Sequence, residues 1–304
     1  MNSALIVGVV ASSIMSGTSL LYATLGEIFG ERAGIVNLGL EGVMLIGAAG
    51  GFAATAMTGS PYLGIAAAAL AGAAINLIFA YVVIARHANQ LAAGLSLMFF
   101  GIGLSALIGR PFVGTLIAGL PRLSVPGLDP DGIGARLVSY DALVYLGAPV
   151  ALFAWWLVFR TRWGLGLRTV GESPAAAFAA GLNPQRLQYQ ALTLAGALGG
   201  VAGAHISVAL TLTWAEGMTA GRGFIAIALV IFAKWNPLWA IAGALLFGGA
   251  EGLQLQLQAA GADVSPFIMN MTPYLLTLLV LIAWGWSRGS AAPAALGRNF
   301  VGVE

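Results

Sequence analysis

Of 304 residues, 59% are hydrophobic and 8% charged, against roughly 45–50% and about 25% in soluble domains, which excludes a soluble globule. The net charge of +2, with arginines scattered one per loop, offers no surface for nucleic acid. The absence of cysteine excludes disulfides, thiolate metal sites and cysteine catalysis.

Taken along the chain, the stretches 1–26, 42–85, 87–109, 142–159, 187–215, 235–250 and 264–287 contain no Asp, Glu, Lys or Arg. Most are long enough to cross a bilayer as a helix, which takes about 20 apolar residues. The run from Gly42 to Ala85 fits two spans split at Thr58-Gly-Ser-Pro61, where turn residues cluster. Runs this apolar lack the alternation of a barrel, so the fold class is all-α: a polytopic integral membrane helical bundle. The spans expected are 3–25, 35–57, 62–85, 91–109, 141–159, 188–211, 221–234, 238–257 and 273–287. That is about nine transmembrane helices (8–10) in one transmembrane domain, 1–304. The first 26 residues lack the basic n-region of a cleaved signal peptide and are read as a retained span. Glycines four apart, at Gly47/Gly51, Gly196/Gly200, Gly199/Gly203 and Gly248/Gly252, signal close helix packing without naming partners.

With the N-terminus outside, one face receives Arg32, Arg86, Arg160, Arg162, Arg168, Arg186, Lys234, Arg288 and Arg298, and the other keeps Arg110, Arg122, Arg136 and Arg222. The richer face is therefore cytoplasmic. The proline-rich segment 110–141 becomes an external loop, and 168–186 a cytoplasmic one. Deleting the weak span 221–234 would reverse the orientation of every later span. Placing Pro61 over Pro237 aligns Ile65 with Ile241, Gly72 with Gly248 and Leu77 with Leu253. Such segments, entering from opposite faces, are compatible with an inverted repeat, or with chance in an Ala/Leu/Gly-rich chain.

Three segments carry chemistry. At 30–42, GERAGIVNLGLEG opens an apolar span with glycines that weaken regular helix. It brings Asn37 and Glu41 to membrane depth, where a polar group faces a cavity or a partner. Glu27, Glu31 and Arg32 are expected merely to sit in water. At 168–186, Ser173 can cap a helix whose first residue is Pro174, with Glu172 at its positive end and Gly181 to stop it. The resulting helix, 173–181, is far too short to span. Ala177 and Phe178 would serve as its outward surface, docking a soluble partner, unless it is simply a connector. At 221–237, only 11 residues separate Arg222 from Lys234, about 16 Å of helix. This is a half-span with Arg222 at its mouth, or a short span lengthened by snorkelling ends.

In order and wording, the stretches at 26–42, 171–182 and 221–237 closely resemble the permease subunits of bacterial ATP-binding-cassette importers. The similarity is to the branch that handles simple sugars and nucleosides, within the branched-chain amino acid/ribose-type permease superfamily. It covers about residues 15–285. The resemblance implies that 173–181 is the coupling helix that docks in a cleft of the ATPase subunit. It also implies that Asn37 and Glu41 lie near the central pathway. Ala92-Ala93-Gly94 after Gln90, and Lys234, depart from the family pattern and leave the solute open.

Among the remaining residues, Gly101-Ile-Gly-Leu-Ser-Ala106 sits inside an apolar span and reads as packing rather than a dinucleotide loop. No P-loop exists, so ATP must be handled by another chain. His87 and His205 lack metal-ligand spacing, and Glu251, with Gln254, Gln256 and Gln258, either lines the pathway or marks a membrane exit. The expected function is the transmembrane permease subunit of an importer in the cytoplasmic (inner) membrane. It takes up a nucleoside, purine or simple sugar, has no enzyme activity, cofactor or metal, and has Asn37, Glu41, Arg222 and Glu251 as its expected pathway residues. The expected partners are ATPase subunits, an external substrate-binding protein and a second permease chain, as a heterodimer in preference to a homodimer. The alternative is a self-contained secondary transporter driven by an ion gradient, with a membrane enzyme a distant third.

Overall fold

The computed structural model describes residues 3–123, 133–259, 261 and 292–299, with 271, 272, 275, 276, 278, 279 and 282. Its helices are α1 (Ser3–Arg32), α2 (Leu40–Thr58), α3 (Pro61–Ala80), α4 (Gln90–Gly109), α5 (Ile133–Val138), α6 (Ala142–Arg160), α7 (Arg162–Glu172), α8 (Pro174–Ala179), α9 (Pro184–Ala204), α10 (Arg222–Phe232) and α11 (Pro237–Ala259). One π turn prolongs α3 through Tyr81–Ala85 and another prolongs α9 through His205–Leu210. Among the described residues there is no strand.

Helix starts follow local chemistry. Four helices begin with proline preceded by Ser or Asn: Ser60-Pro61, Ser173-Pro174, Asn183-Pro184 and Asn236-Pro237. Proline fits the first helical position because its missing N–H has no intrahelical partner there. The Ser or Asn side chain accepts from an amide of the first turn, as Asn183 Oδ1 does from the Arg186 N–H at 2.9 Å.

Among the described residues, seven helices are long and apolar enough to cross a membrane. The expected seventh span, 221–234, is the 11-residue α10, and the expected ninth, 273–287, lies largely outside the described residues, as does the middle of the 110–141 loop. The first span runs on to Arg32, seven residues beyond the expected 25. Glu27 and Glu31 are there 1% and 3% exposed rather than sitting in water. Glu27 Oε1 accepts the Asn37 N–H at 3.0 Å and Glu31 Oε2 the Trp235 indole N–H at 2.6 Å, so each carboxylate is held by a donor outside its own helix. Arg32 Nε likewise donates to the Trp235 carbonyl at 3.1 Å.

Small residues set the packing. A Cβ on Gly200 would stand 2.1 Å from the Ala68 carbonyl oxygen, and one on Gly47 2.4 Å from Gly200 Cα, so α9 lies backbone-close to both α2 and α3. Gly248 meets Ser13 and Gly17, and Gly252 meets Ser12 and Val9, which lays α11 antiparallel along α1. The four-apart glycines thus acquire named partners. Gly101 closes on Gly42, the packing role expected of it.

The same contacts give helix directions. Gln188 reaches the Ala33 carbonyl and Gly26 abuts Ala195, so α9 is antiparallel to α1. Asn76 reaches the Leu192 carbonyl and Gly72 abuts Gly196, so α3 is antiparallel to α9. The two segments aligned from Pro61 and Pro237 therefore run in opposite directions, each beside a long helix, as the inverted-repeat alignment requires.

Candidate functional site

The half-length helix α10 organises the site. Thr24 Oγ1 lies 3.4 Å from the Ala226 carbonyl, and Arg32 and Glu31 bind the Lys234–Trp235 end. α10 therefore runs parallel to the second half of α1, with its N-terminus level with the middle of that helix. Gly221 precedes it at φ +81° and provides no side-chain cap. A helix N-terminus left bare at this depth would expose unsatisfied amides and a positive dipole end.

Glu41, in the first turn of α2, answers that need. Its carboxylate accepts the Gly221 N–H at 2.8 Å, the Gly223 N–H at 2.7 Å and the Thr219 hydroxyl. It is 6% exposed. The fit depends on Gly223, where a Cβ would lie 2.5 Å from the Glu41 backbone nitrogen. One residue before Gly223, Arg222 forks onto Glu251 of α11, with Nη2–Oε2 at 2.9 Å and Nε–Oε1 at 3.3 Å. Both side chains stay partly open, at 19% and 14%. The structure thus brings Glu41, Arg222 and Glu251, from α2, α10 and α11, to one polar node.

Asn37 belongs to a neighbouring cluster. It precedes α2 rather than lying within it. Its amide donates to Asn76 Oδ1 at 2.7 Å and its carbonyl oxygen accepts the Gly39 N–H at 2.8 Å. Asn76 in turn donates to the Leu192 carbonyl at 2.6 Å. Both asparagines are 1% exposed and tie the break before α2 to α3 and α9. Asn76 went unremarked in the sequence, although a lone Asn inside the uncharged run 42–85 is itself a signal at membrane depth. Nothing in the sequence pointed to Thr219.

The short element at 173–181 forms as a six-residue helix, α8. Ser173 Oγ accepts the Ala176 N–H at 3.2 Å, and Gly181, at φ +80°, lets the Leu182 N–H return to the Ala177 carbonyl at 3.0 Å. Phe178 is 53% exposed whereas Ala177 is fully buried, so the outward surface is carried by Phe178 and its neighbours and not by Ala177. Glu172 ends α7, and its carboxylate accepts the Ala294 N–H at 3.3 Å. The amphipathic α7, which buries Leu167 and Val170, was not expected as a helix.

Of the two histidines, His87 occupies the α3–α4 corner at φ +53°. His205 is fully buried, its Nε2 3.5 Å from Asp141 Oδ2. Asp141 also caps α6, accepting the Leu143 and Val144 N–H groups at 2.9 and 3.2 Å. No group of three His, Asp or Glu suited to a metal occurs among the described residues. Ala92 and Ala93 line an apolar groove of about 440 Å³ between α3 and α4, with Phe79, Val82 and Phe100.

The chain matches the family described as branched-chain amino acid transport system / permease component over residues 9–284. It is 36% identical over 300 residues to TsgC13 of Haloferax volcanii, an ABC transporter permease protein assigned to glucose, with 90% of each chain covered. It is 34% identical over 309 residues to the nucleoside ABC transporter permease protein NupC of Lactococcus lactis subsp. cremoris. To the guanosine ABC transporter permease protein NupQ of Bacillus subtilis it is 30% identical over 308 residues. Each of these two pairs is covered over 96% of both chains. These likenesses set aside the carrier driven by an ion gradient.

Proposed function

The chain belongs to the permease-component family of branched-chain amino acid-type transport systems, and on that premise we propose that its polar node at the start of α10 lines the path of a nucleoside or simple sugar. It is a multi-pass membrane protein, the permease subunit of an ABC importer and not an enzyme, and it works with ATPase subunits and a substrate-binding protein. The observation that carries the pathway reading is the partly open Arg222–Glu251 pair, level with the middle of α1 and beside a helix end capped by Glu41. A guanidinium and two carboxylates there offer directional hydrogen bonds to hydroxyl and ring-nitrogen groups of an uncharged solute. Asn37 acts behind them by fixing the break that delivers Glu41.

The membrane is the cytoplasmic (inner) one, with the Arg32 end inside and the 110–141 loop outside. α8 is the coupling helix, offering Phe178 to a cleft in the ATPase with Glu172, Ser173, Pro174, Ala177 and Gly181 shaping it. A second, unlike permease chain completes the pathway. Nucleosides are favoured over glucose because two of the three relatives named above carry nucleoside or guanosine in their names. The test is uptake by vesicles holding the permease pair and ATPases, fed by the binding protein, with labelled guanosine and glucose in parallel. ATP-dependent guanosine uptake competed by other nucleosides is expected. Uptake confined to glucose would overturn the solute, and unchanged uptake after Arg222→Leu and Glu251→Leu together would overturn the pathway.

A further inference from the structure

The described C-terminal segment, 292–299, lies across three elements at the Arg32 end of the bundle. The Ala295 N–H donates to the Gly171 carbonyl at 2.9 Å and the Ala294 N–H to Glu172 at 3.3 Å, which fastens the segment to the end of α7, directly before α8. The Gly297 N–H donates to the Gly34 carbonyl at 3.1 Å, in the break between α1 and α2. Asn299 Nδ2 donates to the His87 and Ala88 carbonyls at 2.7 and 2.8 Å. Gln90 completes the join: its amide donates to Asn299 Oδ1 at 3.2 Å while its carbonyl oxygen accepts the Val36 N–H at 2.9 Å. Ala295 is 7% exposed, so the segment is seated and not merely laid on the surface.

These three anchorages are the parts between which movement has to pass. α7 carries the docking helix, the Gly34 break leads through Asn37 to Glu41, and the 86–90 corner joins α3 to α4. α8 is joined covalently to α7 and α9, and Gly171 of α7 abuts the Arg32 carbonyl at the end of α1, but neither connection reaches Gly34 or the 87–90 corner directly. The segment bridges the same elements within eight residues, mostly through backbone groups.

We infer that residues 294–299 form a coupling strap, whose contacts to Gly171, Gly34 and the 87–90 corner convert displacement of the docking helix into displacement of the break before α2. The inference rests on α8 being the docking element. Gly297 and Asn299 are positioning residues. Gly297 sits at φ +77° with open space where a Cβ would stand, so Gly297→Val acts on the turn and creates no clash. Asn299→Leu removes the bonds to the corner.

The experiment uses the full-length permease assembled with its ATPases and binding protein, and reads assembly, ATP hydrolysis and solute uptake together. Gly297→Val with Asn299→Leu should assemble and hydrolyse ATP normally, while uptake per ATP falls about fivefold or more, the low end of typical coupling between sites. Should the double variant not fold, Asn299→Leu alone decides, with a smaller fall expected. Uptake per ATP within about twofold of wild type in the folded variants overturns the strap. So does loss of ATPase binding, which would make the segment a scaffold for α8. Phe178→Asp, run in parallel, separates the two ideas: a variant that still binds the ATPases and transports overturns the docking role of α8 and leaves the strap measurement standing.

Discussion

Replacing Glu41 with Gln tests how the start of α10 is held. The carboxylate takes three donors, the Gly221 and Gly223 amides and the Thr219 hydroxyl, through two oxygens. Glutamine keeps one acceptor oxygen and turns an N–H₂ group, itself a donor, toward one of those amides. Hydrogen bonds to a charged group contribute about 1.5–3 kcal/mol each, and an anion at a helix N-terminus about 0.3–2 kcal/mol. If the amide retains one bond, the two lost bonds cost about 3–6 kcal/mol. At roughly 2–4 °C per kcal/mol for large domains, purified Glu41→Gln protein should melt at least about 6 °C below wild type, and uptake should fall with it. Gly223→Ala should reproduce the effect without touching charge, because its Cβ would stand 2.5 Å from the Glu41 nitrogen. A Glu41→Gln melting point within about 1 °C of wild type, in bilayer nanodiscs, would refute the cap. A melting point lowered as expected with uptake per assembled complex intact would keep the cap and refute the pathway role of the carboxylate.

Phe178→Asp should cut ATP-dependent uptake at least tenfold while leaving the melting point within about 1 °C, since an exposed side chain adds little to stability; Ala177→Asp, at a buried site, should instead destabilise the fold. Cysteines introduced at Thr115 and Gln185, both exposed in a chain with no native cysteine, should label with an impermeant thiol reagent from opposite faces of the membrane, and labelling from the same face would overturn the sidedness. Gly200→Leu, forced between α2 and α3, should cost several kcal/mol and abolish accumulation of folded protein, whereas Gly103→Leu, with open space around it, should accumulate like wild type. Asp141 is pushed up by burial, but the adjacent His205 and the Leu143 and Val144 amides outweigh that and hold its carboxyl below the ordinary value. Its contribution to stability is therefore full above the ordinary carboxylate pKa of about 3.9 and fades as pH falls through the lower folded value, a loss that should be absent from the melting profile of Asp141→Asn.

The spans were legible because a bilayer demands long apolar runs and the chain supplies few charges to interrupt them. The half-length of 221–234 was legible for the same reason, from the spacing of Arg222 and Lys234. What the sequence could not carry was pairing beyond the single helix. Glu27 and Glu31 read as solvated because the Asn37 amide and the Trp235 indole that hold them are unremarkable in isolation. Ala177 and Phe178 were equally eligible for the outward face of a two-turn helix, and only the packing of α8 on α7 and α9 decides between them. Glu41 was singled out for its depth. Its role as a cap depends on Thr219 and two glycines some 180 residues away, a relation that no local pattern encodes.

That separation bears on how the protein is made. α10 has about half the apolar length a bilayer requires, and its leading amides would be left bare among acyl chains. It cannot be released into lipid as an independent unit while the ribosome is still translating. The carboxylate that completes it emerges first, with α2, so a seat exists before its occupant is synthesised. α10 and α11 are then best inserted as one hairpin against α1 and α2 already in place, with Arg222 meeting Glu251 inside the hairpin before the pair reaches the bundle. Biogenesis of this chain thus has a late step, and a change at Glu41 or Gly223 should deliver a partly assembled bundle to the membrane quality-control proteases even where every long span has inserted.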